Sequence, residues 1–91
     1  MNFDVLVEVR LRPGIADPQG ATIERTLPAL GFGGVHSVTV GKAIRFTVDA
    51  AVETAARRRV DELCQRFLAN PVIEDALVTV STPTAAGEGR R

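Results

Sequence analysis

The chain has 91 residues, 45% of them apolar, with 11 Lys plus Arg balanced by 11 Asp plus Glu. That is one domain of ordinary globular composition, without the basic surplus a nucleic-acid binder needs and without an apolar run near the ~20 residues of a membrane span. A chain this short buries roughly 60–65% of the surface its unfolded form exposes, so pairing with further copies would help it.

Phe3, Val5, Val7, Val9 and Leu11 alternate with Asn2, Asp4, Glu8, Arg10 and Arg12. Period two predicts a strand with one buried face, and Pro13-Gly14 ends it. Asp17-Pro18-Gln19-Gly20 reads as a helix start. The aspartate caps first-turn amides and the proline takes a position where no N–H is needed. Ile23, Leu27 and Leu30 give that helix one apolar face. Pro28 loosens its last turn, and Gly31 caps it. Val35 to Val48 reads as two strands joined by a tight turn at Gly41-Lys42, with one long bent strand as the alternative.

From Val52 to about Ala69 the period is helical again. Ala56, Val60, Leu63, Cys64 and Phe67 form the apolar stripe, and Glu53–Arg57 and Arg58–Glu62 are i,i+4 pairs on the wet side. Asn70-Pro71 stops this helix, and Val72 to Val80 is the last strand. The expected fold is therefore α+β: a two-layer β-α-β-β-α-β sandwich over residues 1–81. It has a four-stranded sheet with two helices on one face, and 82–91 forms a disordered tail. Open sheet edges invite pairing with another copy, so a homodimer or tetramer is expected.

The residues present no catalytic constellation. His36 is the only histidine and has no second ligand type beside it, so it reads as an ordinary half-exposed residue. Cys64 lies on the apolar stripe and reads as a small hydrophobe. Alone, it makes no internal disulfide. Met1-Asn2-Phe3-Asp4 enters a strand with no signal peptide, and a cytoplasmic location follows as the default. Arg57-Arg58-Arg59 fan out over more than half a helix circumference among acidic neighbours, which favours a solvated face over a phosphate site. Glu74 and Asp75 are adjacent on a strand and point to opposite faces, so they share no proton. Gly31-Phe32-Gly33-Gly34 lacks the Lys-Ser/Thr of a phosphate loop.

Three pieces of sequence stand out together: Asp17-Pro18-Gln19-Gly20, then Val38-Thr39-Val40-Gly41-Lys42-Ala43-Ile44, then Leu68-Ala69-Asn70-Pro71-Val72-Ile73-Glu74. In this order and spacing the chain resembles the PurS family, the small S subunit of phosphoribosylformylglycinamidine synthase, from about Phe3 to Val80. Arg45 departs from it, standing where the family often has an acidic residue. The resemblance implies a non-catalytic subunit of a glutamine-dependent, ATP-consuming amidotransferase of purine biosynthesis. Such a subunit bridges a glutaminase subunit and a large synthetase subunit and supports ammonia transfer. It holds no cofactor or metal itself, while ATP and Mg are used by the partner synthetase subunit. Partners are then those two subunits and further copies of the chain, with no nucleic acid and no membrane. By motif position, Lys42, Arg45, Asn70, Pro71, Glu74 and Asp75 are the expected interface residues. The alternative from another class is an ACT-like small-molecule-sensing module with the same element order, binding an amino acid near Gly31–Gly34.

Overall fold

The computed structural model describes residues 1–83. The elements are β1 (Asn2–Leu11), α1 (Pro18–Thr26) followed by a 3-10 turn (Leu27–Leu30), β2 (Lys42–Asp49), α2 (Glu53–Leu63) followed by a π turn (Cys64–Leu68), and β3 (Glu74–Ser81). The result is an α+β fold with two helices and a three-stranded antiparallel sheet in the order β2-β1-β3. The expected tail falls mostly on residues 84–91, which lie outside the described ones.

β1 forms the centre because it carries the strictest alternation. Phe3, Val5, Val7 and Val9 are all buried and face α2, where Ala56, Val60 and Cys64 meet them. The register aligns the apolar rows: Val7 stands opposite Ile44 on one side and Val78 on the other, and Val5 stands between Phe46 and Val80. A one-residue slip would turn every one of these side chains outward. Two arginines from the Arg57–Arg59 run pin α2 across the sheet. Arg57 donates to the Val78 carbonyl at 3.3 Å and Arg59 to the Asp49 carbonyl at 3.1 Å.

The sheet has three strands where the sequence pattern predicts four. The segment before Lys42 forms no ladder, because its amides are taken by side chains. Val38 N–H donates to Glu24 Oε1 at 3.0 Å and Val40 N–H to Asp17 Oδ2 at 2.9 Å. No tight turn forms at Gly41-Lys42 either; positive φ among the glycines occurs at Gly14 and Gly31. Gly41 serves close approach instead, since a Cβ there would stand 2.6 Å from the Val9 carbonyl oxygen.

The expected placement of both helices on one sheet face is also corrected. Only α2 packs on the sheet as a principal neighbour. α1 lies against residues 38–40, with Gly20 buried and so near that a Cβ would meet the Val38 carbonyl oxygen. Its inward face is Gly20, Glu24 and half-buried Leu27, not the Ile23–Leu27–Leu30 stripe. Ile23 is 44% and Leu30 63% exposed.

A third correction concerns Phe67, which the helical period places in the core but which is 80% exposed. The π turn explains it: the Ala69 amide bonds back five residues to Cys64 O at 3.0 Å. The wider turn carries one extra residue. Leu68 therefore takes the next inward position after Ala56, Val60 and Cys64 and packs on the core, while Phe67 rotates out.

Candidate functional site

The most ordered polar feature is the junction between the π turn and β3. Asn70 organises it through its backbone amide, its carbonyl and its side-chain oxygen. Its carbonyl accepts from Ile73 N at 3.1 Å and Glu74 N at 2.8 Å, and its Oδ1 accepts from Val72 N at 3.1 Å. Its own amide donates to Glu74 Oε1 at 2.7 Å. Pro71 sits at the one place in this turn that has no N–H to satisfy, while the asparagine side chain supplies the turn bond. The turn is stitched to the end of β1 by Arg12. Its amide donates to Ile73 O at 2.8 Å, and its Nε lies 3.4 Å from both Glu74 O and Asp75 Oδ1.

Lys42 arrives at the same end of the sheet from the other edge. It pairs with Val9, while Asp75 pairs with Arg10 and Glu74 with Leu11. Across two strand spacings of about 4.8 Å, Lys42 and the Asn70 turn flank the last residues of β1. The predicted interface set does not, however, form one cluster. Arg45 stands opposite Leu6, which puts it with Asp75 on the sheet face that no helix covers, whereas Lys42 shares the parity of Ile44 on the α2 side. Glu74 and Asp75 point to opposite faces, as their adjacency requires. Apart from half-buried Glu74, all six residues are exposed.

The other candidates resolve simply. His36 is exposed and lies outside the helices and strands. Cys64 is a free, buried thiol whose pKa is raised, first by burial and then by the charge of Asp61. Such a thiol stays protonated and is a poor nucleophile. Among the described residues there is no group of three or more His, Cys, Asp or Glu placed to hold a metal ion. The i,i+4 pair present on α2 and its π turn is Glu62–Arg66 at 2.9 Å; the expected Glu53–Arg57 and Arg58–Glu62 pairs are not made among the described residues. The grooves are shallow surface features, such as the one on α1 lined by Pro18, Gln19, Thr22 and Ile23. No helix in the described part is long and apolar enough to cross a membrane.

Sequence reasoning found the Asp17 cap but missed its second duty. One oxygen accepts from Gly20 N at 2.9 Å and the other holds Val40 N. These two bonds, Gly20 first and Val40 second, hold its carboxyl below the usual aspartate pKa. The available signal was the spacing Asp17, Gly20, Glu24, which puts two acceptors and a gap on one helix face.

A family model described as PurS, phosphoribosylformylglycinamidine (FGAM) synthase, matches residues 4–82. The chain belongs to the PurS family. It is 42% identical over 81 residues to the synthase subunit PurS of Methanothermobacter thermautotrophicus, covering 89% of this chain and 95% of that one. Against the Bacillus subtilis PurS the identity is 33% over 73 residues, covering 80% and 86%. Among solved structures, the Methanocaldococcus jannaschii PurS superposes with a TM-score of 0.79 at 35% identity, covering 88% of this chain and 96% of that one. That protein is described as one of the subunits of formylglycinamide ribonucleotide amidotransferase in the purine biosynthetic pathway. A chain of the PurLQS structure from Thermotoga maritima superposes at 0.82 with 32% identity, covering 88% and 98%. The PurS resemblance read from the Asp-Pro-Gln-Gly, Gly-Lys and Leu-Ala-Asn-Pro-Val-Ile-Glu pieces thus holds across the described domain.

Proposed function

We propose that this chain is the small subunit of a cytoplasmic phosphoribosylformylglycinamidine synthase in purine biosynthesis. It contributes no active site and joins the glutaminase subunit to the large synthetase subunit. The observation that carries this reading is the near-complete match to a chain found in a PurLQS assembly, together with the family match over residues 4–82. ATP and Mg chemistry belongs to the synthetase subunit and glutamine hydrolysis to the glutaminase.

The physical need for a joining subunit lies in the transferred molecule. Ammonia in neutral water is largely protonated, and the cation has no lone pair with which to attack. Passing it within a closed assembly excludes water and the side reactions that follow from it. A joint of this kind needs rigid, specific surface features. The Asn70 turn is one, locked by the hydrogen bonds around its backbone and side chain. Lys42, Arg45, Asn70, Pro71, Glu74 and Asp75 are the contacts we assign to the partners, all of them polar except Pro71. Phe67 and Val72, 80% and 78% exposed beside that turn, add an apolar centre of the kind that dominates interface energy.

The test is reconstitution with the synthetase and glutaminase subunits from the same source. Glutamine-dependent activity should require this chain, while ammonia-dependent activity of the synthetase should need it less. Glu74→Gln keeps an oxygen for the Asn70 amide and should assemble nearly as well as the parent. Glu74→Ala leaves that amide unpaired, costs about 1 kcal/mol of turn stability and should weaken assembly. If the two larger subunits turn over glutamine equally well without the chain, the joining role is wrong.

A further inference from the structure

Among the described residues, β3 has an outer side with no strand beside it, since the sheet runs β2-β1-β3. Its sequence is poorly suited to that position. From Ala76 to Val80 it carries no charge and no proline. Its register with β1 runs unbroken from Asp4–Ser81 to Leu11–Glu74, so no bulge twists it away. Apolar edges of this kind add further strands unless something on the protein stops them. β2 differs, with Lys42 at its start and Arg45 near the middle of its length.

Which groups of β3 face outward follows from the ladder. Arg12 N–H donates to Ile73 O, and in an antiparallel pair every second residue turns its amide and carbonyl to the same neighbour. Asp75, Leu77 and Thr79 therefore turn theirs to β1, opposite Arg10, Glu8 and Leu6. Ala76, Val78 and Val80 turn theirs to the outer side. The Val78 carbonyl, at the centre of that row, is nevertheless taken. Arg57 reaches it from α2 and donates to it at 3.3 Å. Arg12 lies at the end of the same strand, its Nε 3.4 Å from the Glu74 carbonyl. A strand arriving along β3 needs the Val78 oxygen for its own ladder and meets a guanidinium there. That group is charged at any pH a protein experiences, so the block does not lift in acid or base.

We infer that Arg57 is an edge guard: by occupying the Val78 carbonyl it closes the outer side of β3 to strand addition. The inference does not depend on the joining role, and it concerns growth beyond any assembly the parent chain forms. Arg57→Met keeps the length of the stem and removes the donor and the charge. The control is Arg58→Met, the same change between the two arginines that do bond to strand carbonyls. Both variants should match the parent in circular dichroism; Arg57→Gln repeats the test should the methionine variant fail to fold. The concentration at which thioflavin-binding aggregates grow should fall about 10-fold for Arg57→Met, the factor one hydrogen bond from a charged group is worth. Arg58→Met should keep the parent's limit. Hydrogen exchange should show the Ala76 and Val78 amides gaining protection in the grown material. Thr79→Lys, on the exposed sheet face opposite Leu6, should restore the parent's limit to Arg57→Met, because a lysine on the strand is itself a barrier to pairing. An Arg57→Met chain as soluble as the parent, an equal loss in Arg58→Met, or growth that leaves the Val78 amide unprotected would each sink the idea.

Discussion

Single residues in this chain do work that their type alone does not announce. Gly41 looks like a turn glycine because it precedes a lysine between two apolar alternations, yet its φ is not positive. Its role is to let β2 approach the carbonyl of Val9. Gly41→Ala would place a methyl group 2.6 Å from that oxygen, a backbone atom that cannot rotate away. The end of the β1–β2 ladder must separate, and overpacking of this sort costs about 1–3 kcal/mol. Urea unfolding should show a lower midpoint with an unchanged slope. Gly14→Ala offers a contrast. Nothing lies within 4 Å of its added carbon, but φ is +87°. The left-handed backbone then costs about 1–2 kcal/mol with no steric term. Equal stability of Gly41→Ala and the parent would show that β2 yields freely there. Asn70 and Asp17 were legible in the sequence as helix-stop and cap residues, because they act within a few positions; Glu74 read only as a strand residue, and its bond to the Asn70 amide came from the structure. Glu24 was not legible either, since its partner Val38 lies 14 residues away and nothing local reports it.

At the scale of the elements, β1, α1, α2 and the last strand followed from period and punctuation. What failed was phase. A period of 3.6 residues continued through Phe67 predicts a buried ring, and the π turn at Cys64–Leu68 breaks that period. The sequence carries no plain mark of the extra residue, because Phe67 and Leu68 are adjacent apolar residues and either satisfies the pattern. The two readings differ sharply in energy. A buried phenylalanine truncated to alanine costs about 3–5 kcal/mol. An exposed one changes stability by no more than about 0.5 kcal/mol. Phe67→Ala should therefore unfold at the parent's denaturant midpoint when the chain is dilute, and Leu68→Ala should not. The alternation in residues 35–41 failed for a related reason. Val38 and Val40 show the spacing of a strand, but a strand is a statement about who accepts the amide hydrogens. Here two carboxylates on α1 accept them.

The whole molecule accordingly consists of a sheet-and-α2 unit with a sealed core and an attached unit made of α1 and residues 38–40. The first is held by buried apolar rows and the second largely by carboxylates, so the two should respond differently to acid. The depressed pKa of Asp17 means that its anionic form is favoured by folding. Its contribution is full above the unfolded aspartate value of about 3.9 and is lost as pH falls through the lower folded value. Hydrogen exchange reads this directly, because local opening is reported amide by amide. Protection at Val40 and Gly20 should fall in acid while the β1 amides of Val5 and Val7 remain protected. Asp17→Asn separates the two bonds at neutral pH. Its Oδ1 still accepts from Gly20 and preserves the helix cap, but an amide nitrogen now faces the Val40 N–H. Val40 should lose its protection in that variant while Gly20 keeps its own. Had Val40 instead retained the parent's protection in Asp17→Asn, the carboxylate would not be what holds α1 beyond the end of β2. The segment would then owe its position to packing around Gly20 and Leu27.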